Sequence, residues 1–129
     1  MGAFKVLCEV AGLKLNVLDL NYGLMQETDA TGRPSSIVRG GKIEVTVEST
    51  GDTTLFELMT NNFERQDGKI VFIKRDSDAT LKELIFEEAY VVKYKENFDS
   101  ISKYPNSETL VFSARKITMG TGEHINEWV

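Results

Sequence analysis

The chain has little of what catalytic and crosslinked proteins are built from: its 129 residues include one cysteine, one histidine and two prolines. A single cysteine, Cys8, makes no internal disulfide, so nothing encodes an oxidising compartment and synthesis in a reducing cytoplasm fits. One cysteine and one histidine make no closed zinc site. His124 lacks the nucleophile and orienting carboxylate that a catalytic base needs, and reads as a surface or interface residue. Long apolar runs are also missing. The longest, Ile70 to Ile73 and Ala89 to Val92, have four residues, which predicts no membrane insertion. The amino-terminal MGAFKVLCEVAG lacks the basic segment and apolar stretch of a signal peptide. Positive charge is scarce, with 15 bases against 20 acids, a net charge of −5 and a pI near 4.9. That balance opposes a phosphate-neutralising groove and excludes nucleic acid as the expected partner.

What is there is a globular composition, 41% hydrophobic and 27% charged. A chain of this mass exposes roughly 6,900 Å² folded against about 21,000 Å² extended, enough burial for a core without metals or disulfides. We expect a single domain over residues 1–129.

Alternation of period two dominates the pattern and predicts a mainly β protein. Phe4, Val6, Cys8 and Val10 share one strand face, Ala11-Gly12 is a turn, and a second strand runs from Leu13 to about Met25. Ile43, Val45 and Val47 alternate with Lys42, Glu44, Thr46 and Glu48, a strand with one dry and one wet face. Ile70 to Ile73 is apolar on both faces, as expected of a strand covered on both sides or packed against another subunit. Leu84, Phe86, Tyr90, Val92 and Tyr94 form a fifth series that Glu88 interrupts, predicting a bulge at Glu87-Glu88. The sixth, Leu110 to Met119, switches face near Arg115-Lys116. Leu55, Leu58, Met59 and Asn62 have helical spacing within Thr53 to Phe63, capped by Asp52 or Thr53 with a capping box from Thr54 to Glu57. Two turn-rich stretches, Gln26 to Ser36 and Asn97 to Glu108, read as long loops.

Catalytic constellations are absent from this pattern. Glu87 and Glu88 are adjacent on a strand, so they point to opposite faces and cannot flank one bond. Asp76, Asp78 and Thr80 imitate the start of a calcium loop, but its sixth position is Leu81 where glycine is required. Arg39-Gly40-Gly41-Lys42 matches no phosphate-binding pattern and reads as a hairpin or bulge. No catalytic, cofactor-binding or metal-ligating residue is predicted.

Five ordered blocks carry a resemblance: TDATGRPSS from Thr28, VEST from Val47, MTNN from Met59, VFIKRDSDATLKELIFE from Val71, and ARKITMG with GEH between Ala114 and His124. In these the chain resembles the haemolysin-coregulated protein family, Hcp, and most of all its Bacteroidetes-type subgroup. The resemblance implies a six-stranded β-barrel of two packed sheets with one flanking helix, and a structural rather than enzymatic role as the inner tube of the type VI secretion system. It further implies homohexameric rings stacked into a hollow tube, with spike proteins at its tip, a contractile sheath around it and effector proteins as cargo. The subunit would wait in the bacterial cytoplasm and be secreted when the sheath fires.

A closed ring needs one heterologous interface, and a tube a second that does not close. The first is assigned to Ile70, Val71, Phe72 and Ile73. Stacking is assigned to the loop bearing Thr28, Asp29, Thr31, Gly32, Arg33, Pro34, Ser35 and Ser36, where Arg33 offers bidentate bonding to a carboxylate of the next ring. Ten residues follow Met119, too few for an attached effector domain. The runner-up is a monomeric small β-barrel binding a small apolar ligand in its mouth.

Overall fold

Alternating side chains close a sheet on itself when both of its edge strands find partners. The computed structural model describes residues 4–61 and 64–128, in which seven strands and one helix follow the order β1 Phe4–Val10, β2 Leu13–Tyr22, β3 Lys42–Glu48, α1 Thr54–Thr60, β4 Arg65–Lys74, β5 Thr80–Phe98, β6 Asn106–Met119 and β7 Gly122–Ile125. Every pairing is antiparallel, in the order β3-β2-β1-β4-β5-β6-β7, and an extra β3 to β6 pairing closes the first six into a barrel. β7 stays outside the closure, paired with the end of β6 beyond its contact with β3.

Two strands change partners along their length. β2 pairs with β1 through Leu13–Asn16 and with β3 through Val17–Tyr22, its register shifting between Val17 and Asp19. β6 pairs with β3 over residues 107–113 and with β7 over 116–119, while β5 runs alongside it throughout. The interior between the sheets is filled by Ile43, Val45, Val47, Ile70, Phe86, Ala89, Phe112 and Ala114, each 0% exposed. Phe86 and Phe112 meet at 4.9 Å between ring centroids. Truncating either to alanine costs about 3–5 kcal/mol by the usual cavity rule.

The two irregularities expected at Glu87-Glu88 and Arg115-Lys116 are one feature. Glu87 pairs with Lys116 across the β5 to β6 ladder, so both strands turn over at the same level. Phe86 and Ala89 are both buried, as are Ala114 and Ile117, a spacing of three where a flat strand has two. Glu88 takes φ +51 and donates its backbone N–H to Asp67 Oδ1 at 2.8 Å, which holds the bulge against β4. The Glu88 carboxylate bridges Arg65 at 2.6 Å and Arg115 at 3.0 Å, and hydrogen bonding from Arg115 holds its pKa below the ordinary carboxylate range.

That bulge corrects the expected face of two residues. Beyond Glu88 the phase flips, so Ala89 and Val91 face the core; Tyr90 instead lies against Trp128 at 5.2 Å, and Val92 is 47% exposed. A second register shift between Val91 and Lys93 returns Tyr94 to the core side. The β2 strand stops at Tyr22 rather than near Met25, because the chain turns out of the sheet at Gly23. Cys8 is the small buried hydrophobe expected, and burial pushes its thiol up to about 12.

The helix is shorter than its pattern. Leu55 is buried, Leu58 packs on the core, and Phe56 meets Tyr94 edge-on at 5.7 Å. Seven residues do not hold a helix in water alone, so this packing fixes it. At its start Asp52 Oδ1 accepts the Thr54 N–H at 2.7 Å, while Thr53 and Glu57 hydrogen bond to each other in place of the Thr54 to Glu57 box. Asn61 caps its end; Asn62 and Phe63, expected on its last turn, lie outside the described residues.

Asn97 to Glu108 is not a long loop. β5 and β6 continue as a two-stranded ribbon to the pair Phe98 and Asn106, leaving Asp99 to Pro105 as the connection. Its polar sequence reflects a ribbon that has left the barrel, where neither face needs apolar residues. Glu108 belongs to its buried root: at 3% exposed, its carboxylate accepts the Tyr94 hydroxyl at 2.6 Å, and burial together with Glu108 raises the Tyr94 pKa.

Candidate assembly surfaces

Between Gly23 and Gly41 the chain forms an arm with its own hydrogen-bonded frame. Met25 and Arg39 exchange backbone bonds of 2.9 and 2.7 Å, and Thr28 and Pro34 form a second bridge. Higher up, Glu27 O accepts from Ser35 N at 2.7 Å, Glu27 N donates to Ser36 Oγ at 2.8 Å, and Gln26 Nε2 donates to Ser36 O at 3.1 Å. At the tip the Asp29 carboxylate gathers the Thr31 N–H, the Thr31 hydroxyl and the Arg33 N–H at 2.9, 2.7 and 3.2 Å. These donors, Thr31 first, hold the Asp29 pKa below its ordinary value. Gly32 takes φ +88 with open space around it, which lets the tip reverse.

The eight expected stacking residues are therefore brought together on one projection. Thr28, Asp29, Thr31, Gly32, Arg33, Pro34 and Ser35 are exposed and Ser36 is half-buried. The Arg33 guanidinium has no ion pair among the described residues, whereas Arg39 pairs with Glu27 at 3.3 Å. Apolar side chains flank the base: Leu24 is 57% and Ile37 77% exposed. The whole surface, 8350 Å², exceeds the roughly 6,900 Å² of a compact chain of this mass, as projections require.

The four expected contact residues divide. Ile70 and Phe72 face inward, Ile70 fully buried and Phe72 packed on the core. Val71 and Ile73 take the outer face, where Val71, only 4% exposed under its neighbours, stands opposite Leu7 on β1 and Glu83 on β5, Ile73 is half-buried, and Lys69 stands opposite Ile85. Ion pairs of Lys5 with Asp78 at 3.8 Å and Lys69 with Glu83 at 3.6 Å lie beside this apolar stripe. The opposite wall differs. Asp19, Asn21, Lys42, Glu44, Thr46 and Thr109 make a polar outer face, with Thr46 and Thr109 hydroxyls 2.9 Å apart. The subunit is thus two-sided, apolar-striped over β1, β4 and β5 and polar over β2, β3 and β6.

Sequence reasoning missed Asn126, Trp128 and the shared role of Glu88. The adjacent glycines at 40 and 41 signalled that something approaches the backbone closely, but nothing local said that it was the carboxyl-terminal segment. No group of three or more potential metal ligands occurs among the described residues.

The family model described as Hemolysin coregulated protein Hcp (TssD) matches residues 2–129. Hcp1 from Flavobacterium johnsoniae is 62% identical, with a TM-score of 0.91 over 95% of this chain and 99% of its own. Hcp1 from Salmonella typhimurium shares the fold at 12% identity, with a TM-score of 0.77 over 96% and 95% of the two chains. The sheath/tube terminator of an extracellular contractile injection system, PVC, shares it at 16% identity and a TM-score of 0.62, over 94% and 96%. No curated relative matches the chain.

Proposed function

The chain belongs to the Hcp family, whose members are structural tube proteins secreted through the type VI system, and from that premise we propose that it closes into hexameric rings stacked by the arm. The observation that carries the reading is the arm itself. Thirteen residues from Gln26 to Val38 contribute nothing to the barrel, yet they are held in one shape by bonds of their own. A preorganised projection loses little entropy on docking, and six weak copies acting together give avidity that no single contact has. Arg33 at its tip is the side chain offered to a carboxylate of the next ring.

The ring contact is proposed on the apolar stripe, with Ile73, Leu7 and Ile85 in the joint, Val71 buried beneath it, and Ile70 and Phe72 stiffening β4 from the core side. A stable contact of this kind buries about 1,200–2,000 Å² in total. The polar wall of Lys42, Glu44 and Thr46 is then free to line the lumen. Effector proteins inside, a spike at the tip and a sheath outside are the partners this architecture is proposed to serve, with residues 1–129 acting as one domain. Six copies carry about −30 per ring, screened over about 8 Å at physiological ionic strength, so stacking strengthens as salt rises from low values.

Replacing Asp29 to Ser36 by a Gly/Ser linker tests the reading. Light scattering should still give six times 14.5 kDa, while negative-stain images lose their tubes; tubes that persist would remove the arm from stacking. A second reading, a monomeric barrel taking a small apolar ligand, has one observation in its favour: a cleft of about 370 Å³ lined by Tyr22, Leu24, Leu84, Ile117 and Met119. It predicts a mass of one subunit at every concentration.

A further inference from the structure

The arm's bonds set its shape and leave its direction open. Among the described residues, every hydrogen bond and ion pair made by residues 25–39 ends on another residue of the arm. Two limbs joined only to each other would swing about Gly23 and Gly40, where they leave and re-enter the barrel. Something else must fix the root.

Asn126 lies at that root. Asn126 continues the β7 ladder one rung beyond Ile125, its N–H donating to Arg115 O on β6 at 2.7 Å. Its side-chain nitrogen donates to two carbonyls, Gly40 O on the returning limb and Ala114 O on β6, each at 3.0 Å. Both amide hydrogens being committed, the amide oxygen faces His124 Nε2 at 3.0 Å, so that nitrogen carries a proton. The backbone beside Asn126 is closely approached: a Cβ on Gly41, at φ +100, would strike the Asn126 amide and lie 2.7 Å from Ala114 O, and one on Gly40 would lie 3.0 Å from Gly23 O and displace the Leu24 side chain. Gly41 O accepts the Ala114 N–H at 2.8 Å, completing the joint.

We propose that Asn126 is a positioning residue that pins the root of the arm to β6, so that the carboxyl-terminal segment sets the direction in which the arm leaves the barrel. The inference rests on the reading of the arm as the stacking element, because a fixed direction matters only to a projection that must meet a partner. The pin itself is a property of the single chain and is testable apart from stacking.

The test uses spin labels on Ala30→Cys, whose side chain makes no bond in the arm, and Lys14→Cys in the full chain, diluted into unlabelled protein; Cys8, 1% exposed, takes no label. Double electron–electron resonance should give a narrow distance distribution that widens at least twofold in Asn126→Asp. That variant keeps the shape of the side chain but replaces its donors with a second acceptor facing two carbonyls. Ring mass should stay unchanged while the stacked fraction falls about tenfold. If Asn126→Asp is too unstable to form rings, Asn126→Ser, which keeps one short donor, is measured in its place and should widen the distribution by a smaller amount. A distribution as narrow in the variants as in the parent overturns the proposal. A widened distribution with tubes intact supports the pin and instead retires the arm as the stacking element, so the two failures are distinguishable.

Discussion

The arm from Gly23 to Gly41 and the ribbon tip from Asp99 to Pro105 look alike in sequence, both polar and both full of turn-forming residues, yet they are different kinds of structure. The ribbon is the end of two strands that outrun the core: its ladder continues from Lys95–Thr109 to Phe98–Asn106 without interruption, and its exposed tip carries Ile101 at 92% exposure. The arm leaves the sheet altogether, is crossed by only two isolated bridges, and draws its order from side chains such as Asp29, Ser36 and Gln26 bonding to backbone. Polarity tells where the chain is wet. It does not tell whether the ladder goes on, because an antiparallel pair clear of the core satisfies its backbone with no apolar face at all.

The contrast should be sharpest in substitutions at the arm's two ends. Gly41→Ala forces a side chain into φ +100 and against Ala114 O, at a buried joint between arm and barrel. It should cost about 2–4 kcal/mol in denaturant unfolding. Gly32→Ala strains a similar φ in open space and should cost about 1 kcal/mol or less. Equal losses at the two sites would mean that the arm is not rooted where the hydrogen bonds place it.

A smaller effect follows from acid. Asp29 has a depressed pKa in the folded arm, so its contribution to arm order is present above the unfolded value, about 3.9, and is lost as pH falls through the lower folded value. The Thr31 and Arg33 amides should exchange faster as pH is lowered through that window, after correction for intrinsic rates, while the Asp99 amide, bonded to the Pro105 carbonyl where the ribbon ladder ends, does not follow. Parallel behaviour of the arm and the ribbon tip would erase the distinction. Smallest of all is Ile101→Ser at the ribbon tip, which should move stability by no more than about 0.5 kcal/mol; a larger loss would show that the tip is packed rather than free.

Much of the barrel was legible because the relevant signal is local. The wet and dry faces of Lys42 to Glu48, the Ala11-Gly12 turn and the bend at Glu87-Glu88 are each encoded within a few residues and stand where expected. The outward turn of Tyr90 was not legible, since it depends on how many residues a bulge inserts and so on the register with a neighbouring strand, whereas Glu108 lies in phase with Leu110 and Phe112 by plain alternation and only its charge concealed it. The exposed arm could be read as a loop from TDATGRPSS, but its rigidity could not, because the frame joins residues up to fourteen apart, Met25 to Arg39. Asn126 is further still from its partner, 86 positions along the chain from Gly40. Of the four β4 residues expected at a contact, Ile70 and Phe72 are consumed by the core, as alternation on a strand requires, and Val71 on the other face is itself buried.

The account stands on assembly, and electron cryomicroscopy of the purified chain tests it most directly. It should reveal closed rings of six with a central channel, and density for residues 23–41 continuing from one ring onto the next. Separate 14.5 kDa particles at every concentration and salt, with arms touching nothing, would contradict it.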